Sequence, residues 1–129
     1  MNKLRALIID DNPTNVAVLA ELLALEGINY TKLLDSTRLD VILQDTVKFD
    51  IIFLDLEMPI LDGYAVLELL KASAYTRTLP VVAYTVHISE IGIARKLGFH
   101  SFLGKPLDAD QFPGQLARIL NGERVWAAA

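Results

Sequence analysis

Three short, largely apolar runs, each followed at once by charged residues, constrain the fold of this chain more than any other feature. The runs and the residues after them are Leu4–Ile9 before Asp10 and Asp11, Ile51–Leu54 before Asp55, and Phe102–Gly104 before Lys105. A run of about four apolar residues with turn-forming neighbours is typical of a strand buried on both faces of a parallel sheet. The charged side chains would then lie at strand ends, and they form one site if those strands are neighbours.

Segments with strand character and segments with helix character alternate along the whole chain. The predicted strands cover residues 5–9, 28–34, 51–54, 81–85 and 101–103. The predicted helices begin near residues 12, 36, 62, 89 and 108. This alternation favours an α/β fold, with a doubly wound, flavodoxin-like parallel sheet of five strands in the order 2-1-3-4-5 and with five helices.

Residues at the ends of the predicted helices support these boundaries. Asn12 is a good N-cap, and Gly27 is suited to end the first helix. Asp108 is expected to open the last helix, with Gln111 three residues later as its capping-box partner. Pro113 conflicts with that start, because proline has no backbone N–H, and it favours a later or irregular entrance.

The bulk properties indicate one soluble domain. A chain of 129 residues with 53% hydrophobic residues is large enough for its own core, which we expect over residues 4–121, with 122–129 as a peripheral tail. The formal charge of −4, without a basic run, argues against direct nucleic-acid binding. There is no cysteine for disulfide or thiolate chemistry, and no apolar run approaches the roughly 18 residues of a membrane span. We therefore predict a cytoplasmic protein that does not insert into membranes.

The strand order predicts where the charged residues meet. In a sheet of this order, ligands bind where the winding direction reverses, which is between the first and third strands. Asp10, Asp11 and Asp55 would gather there, and their mutual repulsion would raise their pKa values unless a cation compensates. Mg²⁺, with Mn²⁺ as the alternative, is suited to such a set of hard oxygen ligands.

Two further residues would complete an electrostatic clamp for a phosphoryl group. Lys105 contributes a positive charge, and Thr85 contributes a hydroxyl donor from the opposite wall. The implied chemistry is phosphoryl transfer to Asp55 as nucleophile, which forms an aspartyl phosphate. Each residue alone has a structural explanation, as a turn aspartate, a surface lysine or a strand threonine. Their coincidence at four strand ends favours the site.

The segments that carry these residues are similar to those of a response-regulator receiver domain of two-component signalling. They are LIIDDNPTN, IIFLDLEMPILDGYAVL, LPVVAYT and FLGKPL, which together extend over nearly the whole chain. The resemblance implies that Asp55 is the phosphoacceptor and that Asp11 and Asp55 bind Mg²⁺ directly. It adds the backbone carbonyl of Glu57 as a third protein ligand, with Asp10 acting mainly through water.

The resemblance also assigns roles around the phosphoryl group. Lys105 would contact it, and Thr85 would bond it in the active state, helped by the backbone N–H groups of Leu56 and Val86. Thr85 and Phe102 would be the switch residues, although Phe102 is equally well explained as a plain core residue. The surface that responds would comprise the fourth helix, the fifth strand and the fifth helix. Its candidate apolar contacts are Ile88, Ile91 and Ile93.

The variable positions and the partners follow from the same resemblance. Val86 stands where the family usually has alanine, and Glu57 and His87 occupy rim positions that influence dephosphorylation. Two roles stay open for Glu57, which are to orient water and to repel the anion. His87 is either a group that takes up a proton near neutral pH or a solvated histidine at the rim. The function implied is a stand-alone receiver in two-component signalling or a phosphorelay. It would be phosphorylated by a histidine kinase or a histidine phosphotransfer protein, would act on an unknown downstream protein, and would not be a turnover enzyme.

Three alternative functions require different residues or leave the aspartate unphosphorylated. A dehalogenase-like phosphatase needs two aspartates two residues apart after the first strand, whereas Asp10 and Asp11 are adjacent. A flavodoxin-like cofactor binder needs a phosphate loop rich in Ser, Thr and Gly, which Asp-Asp-Asn-Pro does not supply. A degenerate receiver that is never phosphorylated is disfavoured because all five site residues are present, but Val86 leaves it open.

Overall fold

The computed structural model describes residues 3–44, 48–58 and 62–128, so residues 59–61 of the LDLEMPILDG segment lie outside the described ranges. The strands are β1 (Arg5–Ile9), β2 (Asn29–Leu33), β3 (Ile51–Leu54), β4 (Val81–Thr85), β5 (Ser101–Gly104) and β6 (Trp126–Ala127). All of them pair in parallel, in the order β2-β1-β3-β4-β5-β6. The predicted order of the first five strands is confirmed, and β6 is an addition that the sequence did not indicate.

Helices connect the strands across both faces of the sheet. They are α1 (Pro13–Leu25), α2 (Leu39–Leu43), α3 (Gly63–Ala72), α4 (Ile91–Leu97) and α5 (Phe112–Leu120). The predicted cap of α1 is confirmed, since the Asn12 side chain accepts hydrogen bonds from the N–H groups of Thr14 and Asn15 at 2.9 and 3.2 Å. Among the described residues, no helix combines the length and the apolar character that crossing a membrane requires.

The core forms one cluster on each face of the sheet. Successive residues of β1 point to opposite faces, so Ala6 and Ile8 join the first core cluster while Leu7 and Ile9 join the second. Helices α1 and α5 complete the first cluster, and α2, α3 and α4 complete the second. Because both faces are covered, every residue of β3 is buried, as its apolar run predicted, and every residue of β4 is buried as well.

The start of α5 corrects one sequence prediction. The helix begins at Phe112 and not at Asp108, whose carboxylate accepts the N–H groups of Asp110 and Gln111 at 2.8 and 3.3 Å in a preceding turn. Gln111 is the N-cap of α5 but makes no capping-box hydrogen bond. The late start places Pro113 in the first turn, where the missing backbone N–H costs no intrahelical hydrogen bond.

The residues after α5 add a short edge to the sheet. Val125 is 4% exposed, and its N–H donates to Oγ of Ser101 at 2.9 Å. Its carbonyl accepts the N–H of Phe102 at 2.8 Å. Residues 125–127 therefore pack against β5, in the stretch for which we expected a peripheral tail.

A glycine at the start of α3 allows this helix to pack directly against the end of β3. A Cβ atom at Gly63 would lie 2.6 Å from the carbonyl oxygen of Asp55 and 2.6 Å from Cα of Leu56.

We expect Gly63→Ala to lower the free energy of unfolding by about 1–3 kcal/mol in urea denaturation, since backbone atoms must move. Gly114→Ala is the matched control. It lies in α5 with nothing within 4 Å of its Cβ, and it should be neutral or stabilising by up to about 1 kcal/mol. Equal losses in the two variants would contradict this explanation.

Candidate functional site

Backbone pairing between neighbouring strands brings the charged residues together. β1 and β3 are paired up to Ile9 and Leu54, and the N–H of Asp55 then donates to the carbonyl of Ile9 at 3.0 Å. On the other side, the N–H of Lys105 donates to the carbonyl of Thr85 at 2.8 Å. The ladder thus extends to the residues of the site, and their backbones have little freedom to move independently of the sheet.

Three carboxylates converge at the predicted position. Asp10, Asp11 and Asp55 each offer an oxygen, and these atoms lie within 4.8 Å of one another. Asp10 is fully buried and Asp55 is 6% exposed. Carboxylate oxygens at this spacing fit a divalent ion that prefers oxygen ligands and retains several waters, so the residues present are suited to Mg²⁺.

Lys105 supplies the positive charge of the site. Its Nζ lies 3.2 Å from Oδ2 of Asp10 and 3.7 Å from Oδ1 of Asp55, and the side chain is 9% exposed. The Lys105–Pro106 peptide bond that follows is cis. An ammonium group between two buried carboxylates partly offsets their repulsion, and it can also contact an anion that joins them.

The pKa of Asp55 reflects its position at the end of an apolar strand. Burial raises the pKa of Asp55 from 3.8 to about 6, the Lys105 ammonium opposes this rise, and the Asp10 carboxylate adds to it. The expected repulsion between the carboxylates thus contributes to the raised pKa of Asp55, but burial is the larger cause. At neutral pH Asp55 is still mainly ionised, as a nucleophile and a metal ligand must be.

Tyr84, to which we assigned no role from sequence, is part of the site. It is 1% exposed, and its hydroxyl donates to Oδ2 of Asp10 at 2.7 Å. Nζ of Lys105 lies 4.3 Å from the centre of its ring, within the range of a cation–π contact. Burial, followed by the negative charge of Asp10, raises the pKa of Tyr84 well above its usual value, so at neutral pH the hydroxyl is protonated and donates.

The sequence does contain a signal for Tyr84. It lies two residues after Val82, and both side chains belong to the first core cluster, as do Ala6 and Ile8, four and two residues before Asp10. A tyrosine within a largely apolar strand needs a partner for its hydroxyl when it is buried. The period of two thus places Tyr84 and Asp10 on the same face, but only the three-dimensional structure shows that they meet.

The rim residues predicted as separate modulators contact each other. Nε2 of His87 lies 2.8 Å from Oε2 of Glu57, with the side chains 45% and 61% exposed. The N–H of His87 also donates to Oγ1 of Thr85 at 3.1 Å, and the N–H of Glu57 lies 3.4 Å from Oδ1 of Asp55. At this exposure the pair contributes little stability, but it links the β3 and β4 sides of the opening.

The remaining predicted residues differ in their exposure and in the face of the sheet on which they lie. Leu56 follows Asp55 and is buried, whereas the Val86 side chain is 62% exposed. Phe102 is fully buried in the second core cluster, whereas Tyr84 belongs to the first cluster on the other face. The structure therefore does not bring Phe102 into the charged site.

Comparison with known protein sequences points to one family. The family described as "Response regulator receiver domain" matches residues 6–117. The signal transduction histidine-protein kinase BarA of Shigella flexneri is 31% identical over 120 residues, which is 91% of this chain and 13% of that protein. The transcriptional regulatory protein CpxR of Escherichia coli strain K12 is 31% identical over 122 residues, which is 93% of this chain and 50% of that protein. The chain thus spans half or less of these relatives.

Solved structures share the fold. The receiver domain of the sensor histidine kinase PA1611 from Pseudomonas aeruginosa, described with a magnesium ion coordinated in the active site cleft, has a TM-score of 0.81 at 24% identity and covers 93% of this chain and 99% of that one. The chemotaxis protein CheY4 of Vibrio cholerae also has a TM-score of 0.81, at 18% identity, and covers 92% of this chain and 99% of that one. At these identities the likeness supports the fold alone.

The raised pKa of Asp55 predicts a dependence of stability on pH. Folding favours the protonated form, so the wild type should lose stability as pH rises from 3.8 to about 6. Asn does not titrate. In metal-free buffer, Asp55→Asn should therefore raise the free energy of unfolding above pH 7, by at most about 3 kcal/mol, and have little effect near pH 4. Urea denaturation across this range measures the difference. If the pH profile of Asp55→Asn matched that of the wild type, the prediction would be contradicted.

The hydrogen bond between Tyr84 and Asp10 predicts an energetic coupling. Tyr84→Phe should lower the free energy of unfolding by about 1.5–3 kcal/mol at pH 7, because a buried carboxylate loses a donor. The same substitution should cost much less in an Asp10→Ala background. A double-mutant cycle in urea measures this coupling, and an equal cost in both backgrounds would show that the hydroxyl does not act through Asp10.

Proposed function

This chain belongs to the response regulator receiver domain family, and we propose that it accepts a phosphoryl group on Asp55 from a histidine kinase or a histidine phosphotransfer protein. As a receiver domain it is a phosphorylation switch of two-component signalling and not an enzyme that turns over its own substrate. The observation that carries the proposal is the Lys105 ammonium, which lies beside Asp55 within a set of three converging carboxylates.

In the proposed reaction, an ionised oxygen of Asp55 attacks the phosphorus of a phosphohistidine. A P–O bond forms to Asp55 and the P–N bond breaks, so the imidazole leaves with the bonding electron pair and takes up a proton. Lys105 then binds an oxygen of the transferred group, and Thr85 donates its hydroxyl to another. The backbone N–H groups of Leu56 and Val86 would complete the set of donors.

The carboxylates and the backbone at the end of β3 would hold the metal. Asp11, Asp55 and the backbone carbonyl of Glu57 would bind Mg²⁺ directly, and Mn²⁺ would be its substitute. When bound, the ion would offset the negative charge of the phosphoryl oxygens. Asp10 suits a role through water, because Asn12, Tyr84 and Lys105 already donate to its two oxygens.

We propose that phosphorylation changes the surface formed by α4, β5 and α5, with Thr85 and Phe102 as the switch residues. Ile93 on α4 is 52% exposed and Ile88, three residues before α4, is 45% exposed, which supports an apolar contact with a downstream protein. Glu57 and His87, which contact each other at the rim, would modulate dephosphorylation. The formal charge of −4 favours a protein partner over nucleic acid, and we place the domain in the cytoplasm.

Incubation with Mg²⁺ and acetyl phosphate tests the proposal. Intact-mass measurement should detect one added phosphoryl group, which should be absent in Asp55→Asn and after chelation of the metal. Asp110→Asn, which removes an exposed acid outside the site, should accept the group like the wild type. Absence of an adduct while Mg²⁺ still binds would favour a receiver that acts without phosphorylation. Sustained hydrolysis of a phosphate ester would favour a phosphatase.

A further inference from the structure

The edge of β5 is occupied by a later segment of the same chain. β6 pairs with β5 in parallel, with Trp126 beside Phe102 and Ala127 beside Leu103. Just before β6, Val125 bonds to Ser101 and Phe102 through its N–H and its carbonyl. Backbone groups of β5 that a protein partner could use are therefore bound by Val125–Ala127, which we name the C-terminal cover.

The side chains of the C-terminal cover reach both faces of the sheet. Trp126 is partly buried against the second core cluster, which contains Phe102, and Cζ of Arg95 on α4 lies 5.1 Å from the centre of its ring. Ala127 packs against the first core cluster, which contains Leu116 of α5. The cover thus lies between α4 and α5, on the surface proposed above to change on phosphorylation.

The cover also explains the burial of Phe102. In a sheet ending at β5, this residue would be on an edge strand, yet it is fully buried. Its neighbour on the outer side is Trp126. Any outward rotation of Phe102 must therefore displace Trp126 or be blocked by it.

One strand connects the charged site to the cover. Lys105 directly follows β5, and its N–H is bonded to the carbonyl of Thr85. Thr85 is paired with Gly104, and Phe102 precedes Gly104 by two residues on the same strand. A shift of Thr85 and Lys105 toward a phosphoryl group would act on β5, whose outer side is held by the cover.

We propose that the C-terminal cover is an intramolecular competitor for the interaction surface, and that phosphorylation of Asp55 loosens it. The exposed edge of β5 would then accept an extended segment of a partner in parallel, with a large apolar residue at the position of Trp126. This inference rests on the proposed function. The strand of the cover has only two residues. A coupling of about 5- to 150-fold, which is typical of allosteric proteins, would therefore be enough to change the fraction of molecules in which the cover is bound to β5.

The fluorescence of Trp126 tests the inference directly, because it is the only tryptophan of the chain. Addition of Mg²⁺ and acetyl phosphate, or of beryllium fluoride as a phosphoryl mimic, should shift its emission to the red and increase acrylamide quenching about twofold or more. Amide exchange of Phe102, whose N–H donates to Val125, should accelerate by at least about fivefold. In Asp55→Asn, all three signals should stay constant.

A pair of arginine variants tests the contact with α4. Arg95→Ala removes the cation over the Trp126 ring, so it should increase quenching before phosphorylation and reduce the further change afterwards. Arg118→Ala is the matched control, since this exposed arginine on α5 pairs with Glu123 and not with Trp126. Its quenching should match that of the wild type in both states, and an equal response of the two variants would count against the proposed contact.

Intact mass measured on the same samples separates this inference from the proposed function. One result would overturn the inference and leave the proposed function standing. In that result the adduct forms, quenching of Trp126 is unchanged or decreased, and exchange of the Phe102 amide is unchanged. Failure to form an adduct on Asp55 would overturn the proposed function and this inference with it. Adduct formation together with all three expected signals would support both.

Discussion

The placement of one ammonium group between two buried carboxylates is the interaction on which the site depends. Asp10 and Asp55 lie where the apolar interior of the sheet ends, and isolated negative charges are costly there. Lys105 offsets part of this cost while it remains within reach of an incoming anion. The low dielectric constant that makes the buried acids unfavourable also strengthens their attraction to a cation. It would equally strengthen the attraction between the donors of the site and a phosphoryl oxygen.

The fold supplies this arrangement through the spacing of its strands. β1 and β3 are neighbours, so the residues after them meet, and β5 delivers Lys105 from across β4. Because the ladder bonds continue to Asp55 and Lys105, their backbone positions follow from the packing of the whole sheet. Binding of the proposed metal ion and phosphoryl group would then require little reorganisation of the backbone. This preorganisation has a cost, because the buried acids make the sheet less stable than an equivalent sheet without them.

Local patterns predicted the residues that lie at strand ends, because an apolar run and the charge after it are both visible in sequence. Tyr84 was missed because its role depends on a contact between β1 and β4, with β3 between them. The contact of His87 with Glu57 depends on loop geometry that no periodicity encodes. β6 was missed because two residues are too few to show alternation, and Trp126–Ala127 forms a strand only because β5 offers an edge. Pro113 did indicate the late start of α5, since proline is tolerated only in a first turn.

The hydrogen bond between Tyr84 and Asp10 has a consequence for synthesis of the chain. Asp10, Asp11 and Asp55 leave the ribosome well before Tyr84 and Lys105, which lie 74 and 95 residues after Asp10. A nascent chain that ends before β4 holds the acids without the donor and without the cation that stabilise them. The charged site is therefore complete only after Lys105 has been synthesised, and a chain truncated before β4 retains Asp55 without the groups that surround it here.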